Sequence, residues 1–357
     1  MNGVSVWTAP SIKGDHHVEL TGIDVSLEAS HLCVVDEAGV VVKEAKVASE
    51  PEALVAWFST LGFSVKRIGL EAGPLSQWLY AGLRAAGLDV ALLETRHVRD
   101  AFRSMPVKTD RKDARGIAQL MRLGWYRQVH CKSVDAQDNR TLLAARKILQ
   151  CKWHDLEVSL RGLLRGYGLK VGETNRKTFE LKLRELVAGV PGLAEVSEAL
   201  LKARAVLFEQ FRVLDARMIV RARKDERAGL LMTVHGVGPL ISLTFVSAID
   251  DSGRFKSSRT VGAHFGLTQR KYQSGETDIT GRISKCGDHE VRTALYEAAN
   301  IILTRPVKGS LLKSWAAKVA LRSGMKKAKV ALARKLAFAM HRMLVDGTCF
   351  DPALAAA

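Results

Sequence analysis

The sequence predicts an α/β N-terminal portion followed by a mainly helical remainder. Three observations carry that division. Up to about residue 94, short apolar runs of period two alternate with helical stretches. From about 135 to 230, strand signals vanish and Ala, Leu, Lys, Arg and Glu dominate. Charge divides the same way, because residues 1–100 hold 8 Lys and Arg against 13 Asp and Glu, whereas residues 252–349 hold 19 against 6.

The first portion reads in order. Residues through Gly14 form a loose leader, and "HVELTGIDVS" (17–26) alternates like a strand. "HLCVVDEAGVVVKEAKVA" (31–48) is two strands joined by a tight turn at Glu37-Ala38-Gly39. "PEALVAWFSTLG" (51–62) is a helix opened by Pro51 and closed by Gly62. A fourth strand (64–73), a helix (75–87), a fifth strand (89–94) and a helix over roughly 110–123 complete the order β-β-β-α-β-α-β-α. Three strands in meander followed by alternating helices is the order of the ribonuclease-H-like fold.

The middle of the chain carries heptad-like stripes. Leu142, Leu149, Leu156 and Leu163 recur every seventh residue, and Leu207, Phe211, Leu214 and Met218 continue the pattern in a second stretch. They predict an antiparallel helical hairpin or a coiled coil shared between subunits, and two ordinary amphipathic helices fit the pattern equally. Beyond it, Gly236-Val237-Gly238 lies between two apolar helical runs and resembles a helix-hairpin-helix turn, whose glycines let a backbone approach phosphate. Residues 264–299 read as strand-like, turn-rich chemistry and then a helix, and 307–344 as a strongly basic helical tail. The expected domains are 15–130, 131–228 and 229–350.

Composition narrows function. The 357 residues suffice for two or three domains, about half are apolar, and the formal charge is +17. Such a balance points to a polyanion, nucleic acid above all. Five scattered cysteines without a C-x-x-C pair read as reduced thiols of a cytosolic protein. No apolar run reaches the roughly 18–20 residues of a membrane span, and no signal-peptide core is legible at the N-terminus.

Four acids fall where such a fold could use them. Asp24 lies in the first strand and Glu71 at the end of the fourth, and the two meet if those strands are neighbours. Asp110 and Asp113, in "VKTDRKDARGIAQL" (107–120), share one helix face. Four clustered carboxylates repel and raise one another's pKa. A hard divalent cation such as Mg²⁺ removes the conflict and bridges to phosphate. The surrounding Lys108, Arg111, Lys112 and Arg115 would hold the nucleic-acid backbone. The plainer alternative is a helix cap, with Asp110 as the capping residue and Asp113 as the acid returning to it.

With "GIDVS", "LEAG", "VKTDRKDARGIAQL", "VHGVGPLISLTFVSAI" and "YQSGETDITGRISKCGDHEVRTAL", the chain resembles the DEDD transposases of the insertion sequence one-ten family, relatives of the Piv/MooV DNA invertases. The resemblance runs from about residue 20 to 340. It implies a RuvC-like N-terminal domain with four metal-binding acids on Asp24, Glu71, Asp110 and Asp113, a coiled-coil linker, and a C-terminal transposase domain with a nucleophilic serine. The family's "SSG" is here "QSG", which puts the serine on Ser274 with Ser284 as the fallback, and Gln269 stands where the family usually has proline after "GLT". Arg282, Lys285 and Arg292 are candidate phosphate clamps. The implied partners are double-stranded DNA at element ends and target, a structured bridge RNA, and further copies of the chain in a dimer or tetramer, with a cytoplasmic, nucleoid-associated location and no membrane. A Holliday-junction-type nuclease using water, and a non-catalytic nucleic-acid binder, are the competing readings.

Overall fold

In the computed structural model, residues 19–103, 105–306 and 310–352 are described. The expected leader, the start of the first expected strand and the beginning of the basic tail lie outside them. The chain divides into two units, Met1–Lys132 and Ser133–Ala357.

The first unit is built on a five-stranded sheet: β1 (Glu19–Asp24), β2 (Ala29–Val35), β3 (Val41–Ala48), β4 (Val65–Glu71) and β5 (Val90–Leu93). Their spatial order is β3-β2-β1-β4-β5, antiparallel from β1 to β3, with β4 and β5 added parallel. The expected turn between β2 and β3 closes on Asp36, whose carboxylate accepts the Val40 amide at 2.8 Å. Helices α1 (Pro51–Ser59), α2 (Ser76–Ala85) and α4 (Asp110–Leu123) match the expected positions. One helix, α3 (Thr95–Phe102), is an addition to the expected order. Its segment "TRHVRDAF" is only eight residues long and mostly polar, and its apolar stripe, Val98 with the partly buried Ala101 and Phe102, spans a single turn, too short to stand out in the sequence.

Strand alternation gives the sheet two working faces. On one, Ile23, Leu32, Leu70 and Leu92 pack against Leu54 and Phe58 of α1 and Leu79 and Leu83 of α2. On the other, Cys33, Val35, Ala91 and Leu93 meet the Ala114, Ala118, Ile117 and Met121 side of α4. On this second face the two central strands offer glycines, Gly22 and Gly69, directly paired in register. A Cβ on Gly22 would lie 2.2 Å from the Ala114 carbonyl oxygen and 2.3 Å from the Ala118 amide nitrogen, and one on Gly69 2.6 Å from Met121 Cγ. Helix α4 therefore rests on bare main chain.

The second unit begins with α5 (Val134–Arg165), α6 (Phe179–Val187) and α7 (Pro191–Lys224). Side-chain pairs Asn139–Arg221, Arg146–Asp215 and Glu157–Arg204 step in opposite directions along α5 and α7, so the two long helices run antiparallel within one chain. Arg204 is only 2% exposed. It is held by Glu157 and Glu180, and its guanidinium lies over the rings of Trp153 and Phe179. There follow α8 (Glu226–Met232), α9 (Pro239–Ile249), α10 (Val261–His264), a hairpin of β6 (Gln269–Ser274) and β7 (Thr277–Ile283), α11 (His289–Thr304), α12 (Leu311–Ser323) and α13 (Met325–Asp346). Phe245, Phe265, Leu295, Leu336 and Met340 belong to one core that joins these helices.

The seat of α4 makes a direct prediction. Gly22→Ala must push α4 off the sheet, because the obstructing atoms are main-chain atoms, and overpacking of this kind costs about 1–3 kcal/mol. Chemical denaturation of the variant beside wild type checks it; an unchanged midpoint would refute the close approach.

Candidate functional site

The paired glycines set up an acid site. Two residues after each, on the same face of the sheet, come Asp24 and Glu71. Because α4 sits so low over Gly22, the start of the helix reaches the same place, and Asp113 is buried at 7% exposure. Burial, then the charges of Asp113 and Asp110, push Asp24 up to about 6. Burial, then Asp24 and Asp113, raise Glu71. Asp24 thus feels the charges of Asp113 and Asp110, and Glu71 those of Asp24 and Asp113.

The cap alternative does not survive. Thr109 is the N-cap of α4, its hydroxyl accepting the Lys112 amide at 3.3 Å. Asp110 is then the first helical residue and Asp113 the fourth, out of capping register. Asp113 instead faces Lys108, whose Nζ is 3.7 Å from Oδ2. Glu71, Lys108 and Asp113 line an open cleft of about 470 Å³, and its further wall is α3, with Val98, Arg99, Phe102 and Arg103.

Among the described residues, no three His, Cys, Asp or Glu side chains form a ready metal cluster. The donor chemistry nevertheless fits a hard divalent cation. Carboxylate oxygens are what such an ion takes, and two of these carboxylates, Asp24 and Glu71, are held above their ordinary range by burial first and then by neighbouring carboxylate charge.

Two neighbours of the site were missed in the sequence. His31 is the cross-strand partner of Asp24. Its Nδ1 is buried without a hydrogen bond and lies 3.8 Å from Asp110 Oδ2. Glu44, on β3, is gripped by Arg111, with Nε at 2.8 Å, and by Arg115, whose Nη2 is 2.8 Å away. Hydrogen bonds from Arg115 and Arg111 pull the Glu44 carboxyl down to about 2. Two of the four cations assigned to a nucleic-acid backbone are therefore engaged inside the protein, while Lys112 and Lys108 remain exposed. Alternation along β3 was a usable signal for Glu44, but its partner is 67 residues away in sequence.

In the second unit, Ser274 ends β6 and pairs with Thr277 across a two-residue turn, Gly275-Glu276. Gly275 has φ +54°, the left-handed conformation that a tight hairpin asks of its first turn residue. Every residue of β6 is exposed, and Tyr272 opposes Ile279 with both exposed. A two-stranded ribbon wet on both faces is marginal by itself, and it holds Ser274 out in the open. Ser284, by contrast, is part-buried, and its Oγ accepts the Cys286 amide at 3.4 Å. Arg282 and Lys285 are exposed. Arg292 is used internally: its Nη1 donates to the carbonyls of Phe265, Cys286, Gly287 and Asp288 at 2.6–3.3 Å and ties that loop down. Gly236, at φ +84°, packs against α11, while Gly238 caps α9 with open space beside it.

Comparison with known proteins adds an independent line. The family profile described as "Transposase IS116/IS110/IS902 family" matches residues 228–311. The IS110 DEDD profile, described as "Transposase", matches residues 21–169. The transposase for insertion sequence element IS1111A of Coxiella burnetii is 29% identical over 326 residues, 89% of this chain and 87% of that protein. A probable family 20 transposase of Pseudomonas aeruginosa is 25% identical over 291 residues, 80% of this chain and 86% of its own length.

The site generates two predictions. Asp24→Asn removes one charge from a repelling cluster, so in chelator at pH 7 its melting temperature should exceed that of wild type by about 1–2 °C, the shift that about 1 kcal/mol gives in a chain of this size. A calorimetric scan of both proteins measures it, and a lower value for the variant would contradict the repulsion. For Glu44 the folded pKa lies below the unfolded value of 4.5. Its contribution is therefore complete above about pH 4.5 and is lost as pH falls towards 2. Glu44→Gln should cost roughly 1 kcal/mol at pH 7, a figure kept low because both guanidiniums are partly exposed, and the gap should close near pH 2. Urea titrations at the two pH values distinguish this from a pH-independent packing loss.

Proposed function

We propose, from the premise that this chain belongs to the IS116/IS110/IS902 family of transposases and is a DNA transposase, that it exchanges DNA strands through a covalent serine–DNA link. In this reading Asp24, Glu71, Asp110 and Asp113 hold Mg²⁺ and Ser274 is the nucleophile. The observation that carries it is a buried Asp113 lining one cleft with Glu71, with burial and the charges of Asp113 and Asp110 raising Asp24, and burial and the charges of Asp24 and Asp113 raising Glu71. Such charge is tolerable at neutral pH when a cation shares it. The sheet order β3-β2-β1-β4-β5 supports the ribonuclease-H-like, RuvC-like reading of the first unit.

A bound divalent ion would supply Lewis-acid polarisation of the scissile phosphate. The chain's own residues carry the rest. The Ser274 hydroxyl oxygen attacks phosphorus, a serine–phosphorus ester bond forms, and the bond from phosphorus to the departing deoxyribose oxygen breaks. The serine's proton ends on that oxygen. Attack by a second strand's hydroxyl reverses the step, so strands rejoin without ATP, since ester energy is conserved. Exposure of Ser274 at a hairpin tip supports this role over Ser284. Lys108 and Lys112 beside the acids, and Arg282 and Lys285 near the serine, are read as phosphate contacts. The turn at Gly236 and Gly238 is read as main-chain approach to a phosphate.

The finer assignments belong to the same reading. They are segments 15–130, 131–228 and 229–350, helical-linker contacts between copies in a dimer or tetramer, a structured guide RNA that chooses target and donor, and work in the cytoplasm at the nucleoid. The excess of cations in residues 252–349 supports nucleic-acid partners there.

Incubating the full chain with donor and target DNA in Mg²⁺, then trapping and peptide-mapping any protein–DNA adduct, tests the proposal. Ser274→Ala should lose both adduct and strand transfer by at least about 10³-fold. Ser284→Ala should retain both, and chelation should abolish activity with recovery on adding Mg²⁺. Recombination by Ser274→Ala at the wild-type rate, with Asp24→Asn inactive, would replace this mechanism with one using water.

A further inference from the structure

Between Glu297 and Asp346 the chain contains no acidic residue. Helices α12 and α13 therefore fold with nine Lys and Arg side chains and no intervening carboxylate. Their apolar faces are already used: Leu312 and Ala316 of α12, and Leu332, Leu336 and Met340 of α13, are buried in the core. Some of the cations have local company, such as Lys335, whose Nζ is 4.5 Å from the centre of the Trp315 ring. Lys318, Arg322, Lys326 and Lys327 do not. All four are exposed, and none makes an ion pair among the described residues.

These four flank, along the chain, the point where α12 gives way to α13. Gly324 forms the corner with φ +84° and ψ 156°, a conformation that L side chains rarely adopt. No atom lies within 4 Å of where its Cβ would stand, so the turn and not packing demands glycine. Lys326 and Lys327 sit in the first turn of α13, at the positive end of the helix, where cations are unfavourable unless an anion is near. Leu321 is at the same corner and is 90% exposed, the most exposed large apolar side chain among the described residues. Met325 stands four residues on and is 45% exposed.

A lone exposed leucine carries little meaning. One at a helix corner, flanked in sequence by four exposed cations that make no ion pair among the described residues, has the makings of a wedge. Proteins that unstack and bend a duplex insert an apolar side chain between base steps and hold the flanking phosphates with cations. Charge excludes a second copy of this corner as the occupant, since eight unpaired cations would then be brought together. We propose that the α12–α13 corner is a duplex-DNA wedge, in which Leu321, supported by Met325, enters the base stack while Lys318, Arg322, Lys326 and Lys327 hold the phosphates on either side. The inference rests on the chain being a DNA transposase, not on the acid or serine assignments. Strand exchange needs a duplex that has been opened or bent, and this corner would do that work.

The test uses the full chain in chelator, so that no strand is cut and the fate of the Ser274 and metal assignments does not affect the readout. The probe is duplex DNA carrying 2-aminopurine, whose fluorescence rises on unstacking. Wild type should raise it. Leu321→Ser should lose most of the rise and bind about tenfold more weakly, with unchanged salt dependence. The triple variant Arg322→Gln, Lys326→Gln, Lys327→Gln should lower the slope of log affinity against log salt by about 3, close to one per phosphate contact. Circular dichroism confirms that each exposed-site variant is folded. No rise with wild type, a full rise with Leu321→Ser, or an unchanged slope for the triple variant overturns the proposal. So does a slope lost on a structured RNA hairpin but kept on duplex DNA, or a Leu321→Ser effect confined to sedimentation, which would mean a contact between copies.

Discussion

The seating of α4 on two glycines is the constraint from which the acid site follows. Gly22 and Gly69 are paired across β1 and β4, and the helix lies against their main chain, with its own backbone atoms where a side chain would otherwise be. Period two then puts Asp24 and Glu71 on that same face, two residues further along. The low approach of the helix delivers Asp113 to them. Larger residues at the two glycines would lift the helix and leave the acids as ordinary strand-end carboxylates. Close packing and electrostatic strain are thus one arrangement: the contact that buries apolar surface on Ala114, Ile117 and Ala118 also forces like charges together.

The cations beside those acids divide by function. Arg111 and Arg115 belong to Glu44 and staple the start of α4 to β3. A bidentate guanidinium–carboxylate match is directional as well as attractive, so the pair fixes the rotation of the helix and with it the aim of Asp113. Lys108, though 3.7 Å from Asp113, and Lys112 keep their side chains exposed to solvent. A similar division holds in the second unit, where Arg292 binds three carbonyls of the loop before it and that of Phe265, while Arg282 and Lys285 stay exposed. A cation-rich motif is therefore partly scaffold, and reading every cation as a phosphate contact overcounts the interface.

Much of the first unit was legible because its signals are local. The strand alternation, the Pro51 start of α1 and the span of α4 from residue 110 to 123 fell where the pattern placed them, while α1 closes at Ser59, three residues before the expected Gly62. Helix α3 did not, since its segment is charged and fully buries one residue. The acids were legible as residues of the right kind at the right strand positions. A repeated glycine-x-acid pattern, Gly22-Ile23-Asp24 and Gly69-Leu70-Glu71, was the available signal for the helix seat and went unread. His31 carried none, and strand alternation could place Glu44 but not its partner, because a cross-strand neighbour and an ion pair 67 residues apart depend on register.

By itself the sequence determined the element types, the division of charge and the identity of the chemically capable side chains, for these follow from periodicity and composition within a few turns of chain. Only the tertiary structure decided which of them meet. Whether Asp113 caps a helix or joins two acids turned on Thr109 taking the cap. Whether an arginine waits for phosphate or serves a carboxylate turned on which strand lay opposite. Contacts between distant segments are chosen by packing of the whole core, where a one-residue change of register reverses every side chain, and no local pattern records that choice.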